Sequence, residues 1–324
     1  MSDPSTASNR LPHMPISMFA IVMGLAGLTL VLQHAERAWG LPSGIALTSV
    51  VIDIAVFAAI AVAYLSKWVR YPAEVRGEFN HPIRLSFFPA ISIGLILLAT
   101  ATFRMWPSLA LAFWVSGVVL HLLLTLTILS RWMHQTHFEI HHSNPAWFIP
   151  VVGNILVPLA GVPLGFETIS WFFFSVGLVF WPVLLTILMY RYFFHAPMPG
   201  KLMPTLFILI APPAVAFIAW GSLHPGEGLD DFGRVLFSFA LFITLLLVWQ
   251  MRHFIRLPFA LSWWAYSFPV AAMTVATIQV AGHTGSAFWN ALGLILTVIL
   301  SMLIALLLVM TLRAAGRREI CQPE

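Results

Sequence analysis

The stretch Ala287–Leu312, AFWNALGLILTVILSMLIALLLVMTL, contains no charged side chain. A helix needs about 20 consecutive apolar residues to cross the hydrocarbon core of a bilayer, so this stretch predicts a transmembrane helix. The whole chain has the same character, since 60% of its 324 residues are hydrophobic, 9% are charged and the mean hydropathy is +0.92. Soluble domains carry roughly 25% charged residues, so the composition excludes a soluble protein, and the low charge excludes a disordered one. We expect an all-α integral membrane protein.

Apolar runs between charges and turn residues predict ten transmembrane helices in one membrane domain, residues 14–312. The predicted spans are Met14–Gln33, Leu47–Ser66, Leu85–Met105, Leu109–Leu129, Ala146–Gly165, Ile169–Tyr190, Met203–Trp220, Phe232–Gln250, Leu257–Ala281 and Ala287–Leu312. The connections are short, which leaves tails of residues 1–13 and 313–324. Residues 1–9 are polar and no small-residue cleavage site follows the first span, so we expect that span to be retained as an anchor.

The basic residues predict the orientation of these helices. With ten spans, 13 of the 16 Lys and Arg residues lie on the side that holds both termini, and only Arg37, Arg104 and Arg234 lie on the other. Because basic loops stay in the cytoplasm, we expect both tails to be cytoplasmic and the protein to lie in a plasma membrane, the inner one in a bacterium. The net charge of +4 comes from too few basic residues to form a nucleic-acid surface. A single cysteine, Cys321, excludes an internal disulfide.

Prolines separate the predicted helices into two classes. Odd-numbered spans contain most of the interior prolines: Pro15, Pro89, Pro150, Pro158, Pro212, Pro213 and Pro269. Among the even-numbered spans only the sixth has one, Pro182. A kinked helix frees carbonyl groups that lipid cannot satisfy, and such backbone is tolerated where it is buried or lines a water-filled cavity. The alternation predicts five helical hairpins with the odd helices as an inner ring around a central pore, although prolines are also common in membrane helices generally.

The predicted inner helices carry small and mildly polar side chains, and no Lys or Arg lies in the middle of a span. Ser86, Asn154 and Ser267 are candidates to line the lumen. The alternative is that small residues only allow close helix packing. If a solute passes, a neutral lining predicts weak selectivity that is governed by the cost of dehydration.

Five motifs in order resemble the tellurite-resistance/dicarboxylate transporter family, which includes bacterial TehA-type proteins and the plant slow-type guard-cell anion channels. The motifs are MFAIVMGLAGL (18–28), HPIRLSF (81–87), NPAWFIPVVGN (144–154), PTLFILIAPP (204–213) and WWAYSFP (263–269). The resemblance runs from about residue 12 to residue 312. It implies a ten-helix bundle with quasi-five-fold symmetry around a pore, anion conduction, and a homotrimer with one pore in each subunit.

The resemblance also implies a phenylalanine gate on the ninth helix, which falls on Phe268, with Phe19 and Ala20 at the facing position of the first helix. A phenyl ring in a narrow neutral lumen would block hydrated ions, and the adjacent Pro269 would interrupt the helix beside it. Family members often have glycine where this chain has Ala20, which narrows the space beside the ring. The simpler interpretation is that Phe268 is a core residue, since the chain has 26 phenylalanines.

Two charged residues need an interpretation of their own. Asp53 lies in the second span, where a carboxylate is a functional candidate by default. Its predicted depth is close to that of Arg37 and Arg104, and we favour a structural ion pair with one of them because an outer helix should not line the pore. Arg84 begins the third helix at the cytoplasmic face, where it either attracts anions to the mouth or only reaches towards lipid headgroups.

Three functions follow from these observations. The favoured one is a channel for small monovalent anions, chloride or nitrate, without a cofactor. The first alternative is a proton-coupled carrier of dicarboxylate, sulfite or tellurite-like oxyanions, although the inner helices lack an arginine-lined site at mid-depth. The remote alternative is a membrane di-iron enzyme that uses the loop His134–His142, HQTHFEIHH, where several imidazoles would have to converge on iron. The remaining histidines are isolated in the sequence, so we expect neither an enzyme nor a metal site.

Overall fold

The computed structural model describes residues 10–136 and 138–322, which are helical and contain no β-strand. The α-helices are, in chain order, α1 Phe19–Trp39, α2 Ser43–Arg70, α3 Pro72–Asn80, α4 Ala90–Thr102, α5 Pro107–His134, α6 Phe148–Val152, α7 Pro158–Gly161, α8 Glu167–Phe194, α9 Ala211–Leu223, α10 Asp231–Trp249, α11 Met251–Phe254, α12 Ser267–Thr284 and α13 Ala287–Gly316. The 3₁₀ segments are Leu11–His13, Ile16–Met18, Arg84–Phe87, Ile140–His142, Pro145–Trp147, Gly153–Leu156, Gly200–Ile210 and Leu261–Tyr266. The expected all-α membrane architecture is confirmed at this level.

Burial divides the long apolar helices of the described chain into two classes. Four are more than half buried, namely Ile16–Trp39, Arg84–Thr102, Gly200–Leu223 and Leu261–Thr284, and each begins with a 3₁₀ segment. The five others, α2, α5, α8, α10 and α13, are only 22–33% buried. Their exposed faces carry large apolar side chains. Such faces suit contact with lipid, because the hydrocarbon core contains no water that could hydrogen-bond polar groups.

Nine helices in the described ranges are long and apolar enough to cross a membrane, whereas the sequence predicts ten. The missing one is the fifth predicted span, where the chain forms a short composite helix, Pro145–Gly161, instead of a continuous one. The segment consists of α6, a 3₁₀ turn and α7, with Pro150 in the first turn of α6 and Pro158 at the start of α7. Proline lacks a backbone donor and is tolerated in the first turn of a helix.

Side-chain hydrogen bonds support the backbone of this irregular segment. The Thr125 hydroxyl on α5 lies 2.6 Å from the carbonyl oxygen of Pro150, and the indole N–H of Trp114 donates to Val157 at 3.0 Å. Asn154 donates to the Val151 carbonyl at 2.7 Å. Since an unpaired backbone group in an apolar interior is costly, these bonds hold the broken segment in its irregular course.

A buried ion pair fixes the chain where it enters α1. The ammonium group of Lys67 lies 2.8 Å from Glu78 Oε2 and also donates to the carbonyl of Met14 at 2.7 Å. Glu78 in turn accepts from the backbone N–H of Ile16 at 3.1 Å and from the Tyr64 hydroxyl at 2.8 Å. Every charge of the cluster is therefore paired, as a buried ion pair requires, and the N-terminal segment is tied to α2 and α3.

Candidate functional site

Two cavities meet at Phe268. The wider one has a volume of about 380 Å³ and the narrower one about 70 Å³. Phe268, Leu156 and Val215 contribute to the walls of both cavities. These three apolar side chains, from α12, the composite helix and α9, therefore form the partition between the cavities.

The narrow cavity lies among the first turns of the buried helices, and no charged side chain lines it. Its walls include Ala20 of α1, Phe87 just before α4, Ile93 of α4, Phe148 of α6, Ala211 and Pro212 of α9, and Trp264 and Pro269 around the start of α12. Because each helix contributes from its beginning, the buried helices run parallel here. A space of this size and polarity disfavours hydrated ions, since apolar constrictions tend to lose their water.

The wide cavity lies among the later turns of the same helices and is more polar. Its polar and charged lining residues include Gln33, His34, Arg37, Thr100, Arg104 and Gln279. Two guanidinium groups make this end electrostatically positive, whereas the narrow cavity is neutral. The lining therefore changes from charged and wide to apolar and narrow at Phe268.

Local sequence fixes the Phe268 ring at this partition. The helix α12 begins at Ser267, so Pro269 occupies its first turn, where a missing backbone donor costs little. On the facing helix α1, a Cβ atom added at Gly27 would lie 2.8 Å from Ala271 Cβ and 3.4 Å from Phe268 Cδ2. Glycine at this position thus lets α1 approach α12 closely beside the ring, and Phe268 is only 8% exposed.

The structure brings Ala20 and Pro269 to the narrow cavity together with Phe268. Phe19 is buried on a different side, where its ring meets those of Phe57 at 6.0 Å and Tyr64 at 5.9 Å in edge-to-face contacts. Phe19 therefore packs α1 against α2. It lines neither cavity, so its role in the gate remains a prediction.

The three polar candidates for the lumen are fully or almost fully buried and are not among the side chains that line either cavity. Ser267 donates to the Trp264 carbonyl and lies against Gly24 of α1. Asn154 donates to Thr125 Oγ1 at 3.2 Å, and the Ser86 hydroxyl is buried without a partner. Ser267 and Asn154 therefore take part in contacts within and between helices, and the lining role of all three residues remains a prediction.

Arg84 begins the 3₁₀ segment that leads into α4, and the wall of the narrow cavity starts three residues later at Phe87. Nδ1 of His81 accepts from the backbone N–H groups of Ile83 at 3.1 Å and Arg84 at 3.3 Å. Burial, followed by the positive charge of Arg84, lowers the pKa of His81 below its usual value, so its ring is neutral at pH 7. Attraction of anions by Arg84 remains a prediction.

The expected ion pair of Asp53 is wrong. Both carboxylate oxygens of Asp53 are buried without a hydrogen-bond partner, while Arg37 and Arg104 line the wide cavity instead. The sequence suggested similar depths in the membrane, but depth does not specify which face of a helix a side chain occupies. Arg37 and Arg104 were a usable signal for the wide cavity, but their sequence positions also fitted an ion pair with Asp53.

The histidine-rich loop does not gather its side chains around one point. His134 bonds to the Ser130 carbonyl at 2.9 Å, while His141 lies 3.2 Å from a Glu139 carboxylate oxygen at the surface. His137 lies outside the described residues. Within residues 10–136 and 138–322, no three His, Cys, Asp or Glu side chains are placed to hold a metal ion.

The chain is similar to known proteins over nearly its whole length. The profile of the SLAC1 family, voltage-dependent anion channels, matches residues 13–312. The S-type anion channel SLAH3 of Arabidopsis thaliana is 30% identical over 306 residues, which cover 92% of this chain and 48% of that protein. The guard cell S-type anion channel SLAC1 of the same plant is 28% identical over 312 residues, which cover 93% of this chain and 56% of that protein.

A bacterial relative matches over a larger part of its own length. The tellurite resistance protein TehA homolog of Haemophilus influenzae is 25% identical over 301 residues, which cover 92% of this chain and 90% of the relative. The chain thus spans about half the length of the plant relatives and nearly all of the bacterial one. With its profile match over residues 13–312, the chain belongs to the SLAC1 family of voltage-dependent anion channels, as its motifs led us to expect.

Proposed function

We propose that the chain conducts small monovalent anions, such as chloride and nitrate, through a pore that Phe268 closes. The observation that carries this proposal is the position of the Phe268 ring between a wide, positively charged cavity and a narrow, apolar one. Removal of the ring would join the two cavities along the axis of the buried helices. The similarity to plant S-type anion channels supports anion transport in general.

The proposed pore is surrounded by an inner ring of five segments. Four are the deeply buried helices, and the fifth is the composite helix Pro145–Gly161. Contacts support a tenth crossing at this segment: Arg191, near the end of α8, donates to the Ser143 carbonyl, whereas Trp114, near the start of α5, reaches Val157. The segment therefore runs between opposite ends of the bundle, which agrees with five hairpins.

Cytoplasmic termini and a homotrimer complete the proposal. Arg10 donates to the Ala315 carbonyl at 3.2 Å, so the segment before the first buried helix and the end of α13 lie at the same face, as an even number of crossings requires. The excess of basic residues on this face favours the cytoplasm. The exposed apolar faces of the outer helices are available for lipid or for neighbouring subunits.

Selectivity in this pore follows from the narrow cavity. Since no charged side chain lines it, an anion that passes must shed water without a fixed charge to replace it. Weakly hydrated anions therefore lose least, and nitrate should permeate at least as well as chloride. A dicarboxylate carries two charges through the same neutral constriction and should permeate poorly.

A carrier remains the second candidate, because Arg37 and Arg104 line the wide cavity and suit a carboxylate ligand. Proteoliposomes containing the wild type or Phe268→Ala separate the two mechanisms. We expect voltage-driven chloride and nitrate flux in Phe268→Ala that does not depend on a pH gradient. Malate uptake that requires a pH gradient, without voltage-driven chloride flux in either protein, would contradict the channel and favour the carrier.

A further inference from the structure

The wide cavity contains two cations without an anion. Arg37 and Arg104 are both exposed and both line it. The ion pairs found in the described chain, Lys67–Glu78 and His141–Glu139, include neither of them. Unpaired guanidinium groups on the wall of a cavity leave most of their hydrogen-bond donors available to a ligand.

The two guanidinium groups are held by the helices rather than by each other. The Arg37 Nε–H donates to the carbonyl of Gln33 at 3.0 Å, and the Arg104 guanidinium lies 5.4 Å from the centre of the Phe103 ring. Gln33 also donates to the carbonyl of Ala101 at 2.7 Å. This bond joins α1, which carries Arg37, to the last turn of α4, which Arg104 follows by two residues. Both arginines border the same cavity.

Neighbouring polar groups extend the site. His34 bonds through Nδ1 to the Leu30 carbonyl at 2.8 Å, and its ring lines the same cavity. Glu36 is the acidic residue next to Arg37 in the chain, but it forms no ion pair within 4.0 Å in the described structure. The balance of charge at this end of the cavity is therefore positive.

We propose that Arg37 and Arg104 form a binding site for a small divalent oxyanion at the wide end of the cavity. A guanidinium group presents paired N–H donors that match two oxygens of one anion, a geometry that a halide ion cannot use. Two such groups favour an anion with two charges over one with a single charge. The proposed function enters only in calling this end of the cavity the mouth of a pore. Binding of the anion itself does not require conduction.

The consequence for transport is that the bound anion would occupy the mouth and oppose the passage of monovalent anions. The same chemistry is offered by inorganic sulfate and by a short dicarboxylate such as succinate. Comparison of the affinities of sulfate and succinate for the site shows which of the two it favours. Chloride, which has no pair of oxygens, serves as the contrasting ligand.

Equilibrium binding of radiolabelled sulfate to the purified full chain, at constant ionic strength, tests the site. We expect saturable binding to the wild type and a loss in affinity of at least about tenfold in Arg37→Gln and in Arg104→Gln, since each substitution removes charge-assisted hydrogen bonds. Arg234→Gln is the matched control. Arg234 is the third arginine of this side of the chain and donates to the Leu229 carbonyl at 3.4 Å, but it does not line the cavity.

Equal losses in all three variants, or no saturable binding to the wild type up to about 10 mM sulfate, would overturn the site. Displacement by succinate at lower concentration than by chloride is expected, and the reverse order would also overturn it. A variant enters the comparison only if it elutes from a sizing column as the wild type does. If only one of Arg37→Gln and Arg104→Gln is folded, that variant alone tests the site. Sulfate binding without any current in Phe268→Ala would refute the channel but support the oxyanion site. Current in Phe268→Ala without sulfate binding would support the channel but refute the oxyanion site.

Discussion

Asp53 shows how strongly one side chain can depend on its immediate surroundings. Its carboxylate is buried on α2 with neither oxygen hydrogen-bonded, and the arginines at similar predicted depth face the wide cavity. Burial of an unpaired ionised carboxylate is costly. The fold therefore gains nothing from an ionised Asp53.

We predict that Asp53→Asn folds normally and changes the free energy of unfolding by less than about 1 kcal/mol, because no ion pair is lost. Breaking a buried ion pair would instead cost about 3–5 kcal/mol. Thermal unfolding of the purified variant beside Lys67→Met, which does break a buried pair, provides the comparison. A large destabilisation of Asp53→Asn, similar to that of Lys67→Met, would show that Asp53 has an ionic partner after all.

At the scale of elements, the contact between α1 and α12 places the Phe268 ring. A Cβ atom added at Gly24 would lie 2.3 Å from Ser267 Oγ and 2.9 Å from an atom of the Trp264 ring. Ser267 and Trp264 cannot move away easily, because both are buried and the Trp264 indole N–H donates to Thr311 of α13 at 3.0 Å. The close approach of the two helices thus depends on glycine at this position.

We predict that Gly24→Ala lowers the free energy of unfolding by about 1–3 kcal/mol, the usual cost of overpacking a well-packed core. The matched control is Gly282→Ala on α12, where an added Cβ has no neighbour within 4 Å and alanine improves helix propensity. Chemical or thermal unfolding in detergent measures both variants. Equal stability of the two would mean that α1 and α12 are not in such close contact.

Hydropathy predicts the elements well where lipid dictates them. Outer helices such as α8 and α13 follow their predicted spans and extend by a few residues at their ends, because a lipid-facing helix must satisfy its own backbone and needs no partner to form. The composite helix was predicted less well. Its length depends on whether Thr125 and Trp114 of α5 supply hydrogen bonds to the broken backbone, and no local pattern reports that.

At the scale of the whole molecule, the alternation of prolines predicts which helices become most buried, since proline-containing backbone needs protein around it. The same reasoning does not specify how each helix is rotated about its own axis. Ser86, Ser267 and Asn154 are buried and line neither cavity, so their role in lining a pore remains a prediction. Arg37 and Arg104 do line the wide cavity, because the rotation of a helix depends on its neighbours.

The central claim is that the Phe268 ring closes the path between the two cavities. If it is right, the conductance of the pore should depend on the size of residue 268, and removal of a buried phenylalanine that lines neither cavity should not raise it. Phe19 is the comparison, since it lies on the facing helix and is also buried, but its ring contacts Phe57 and Tyr64 and lines neither cavity. Loss of its ring should cost about 3–5 kcal/mol of stability without opening a path.

The most direct measurement is the chloride conductance of planar bilayers that contain equal amounts of the wild type, Phe268→Leu, Phe268→Val, Phe268→Ala and Phe19→Ala. We predict little conductance in the wild type, a stepwise increase as residue 268 becomes smaller, and no increase in Phe19→Ala. Equal conductance in the whole Phe268 series, or an increase in Phe19→Ala as large as that in Phe268→Ala, would contradict a pore closed by Phe268.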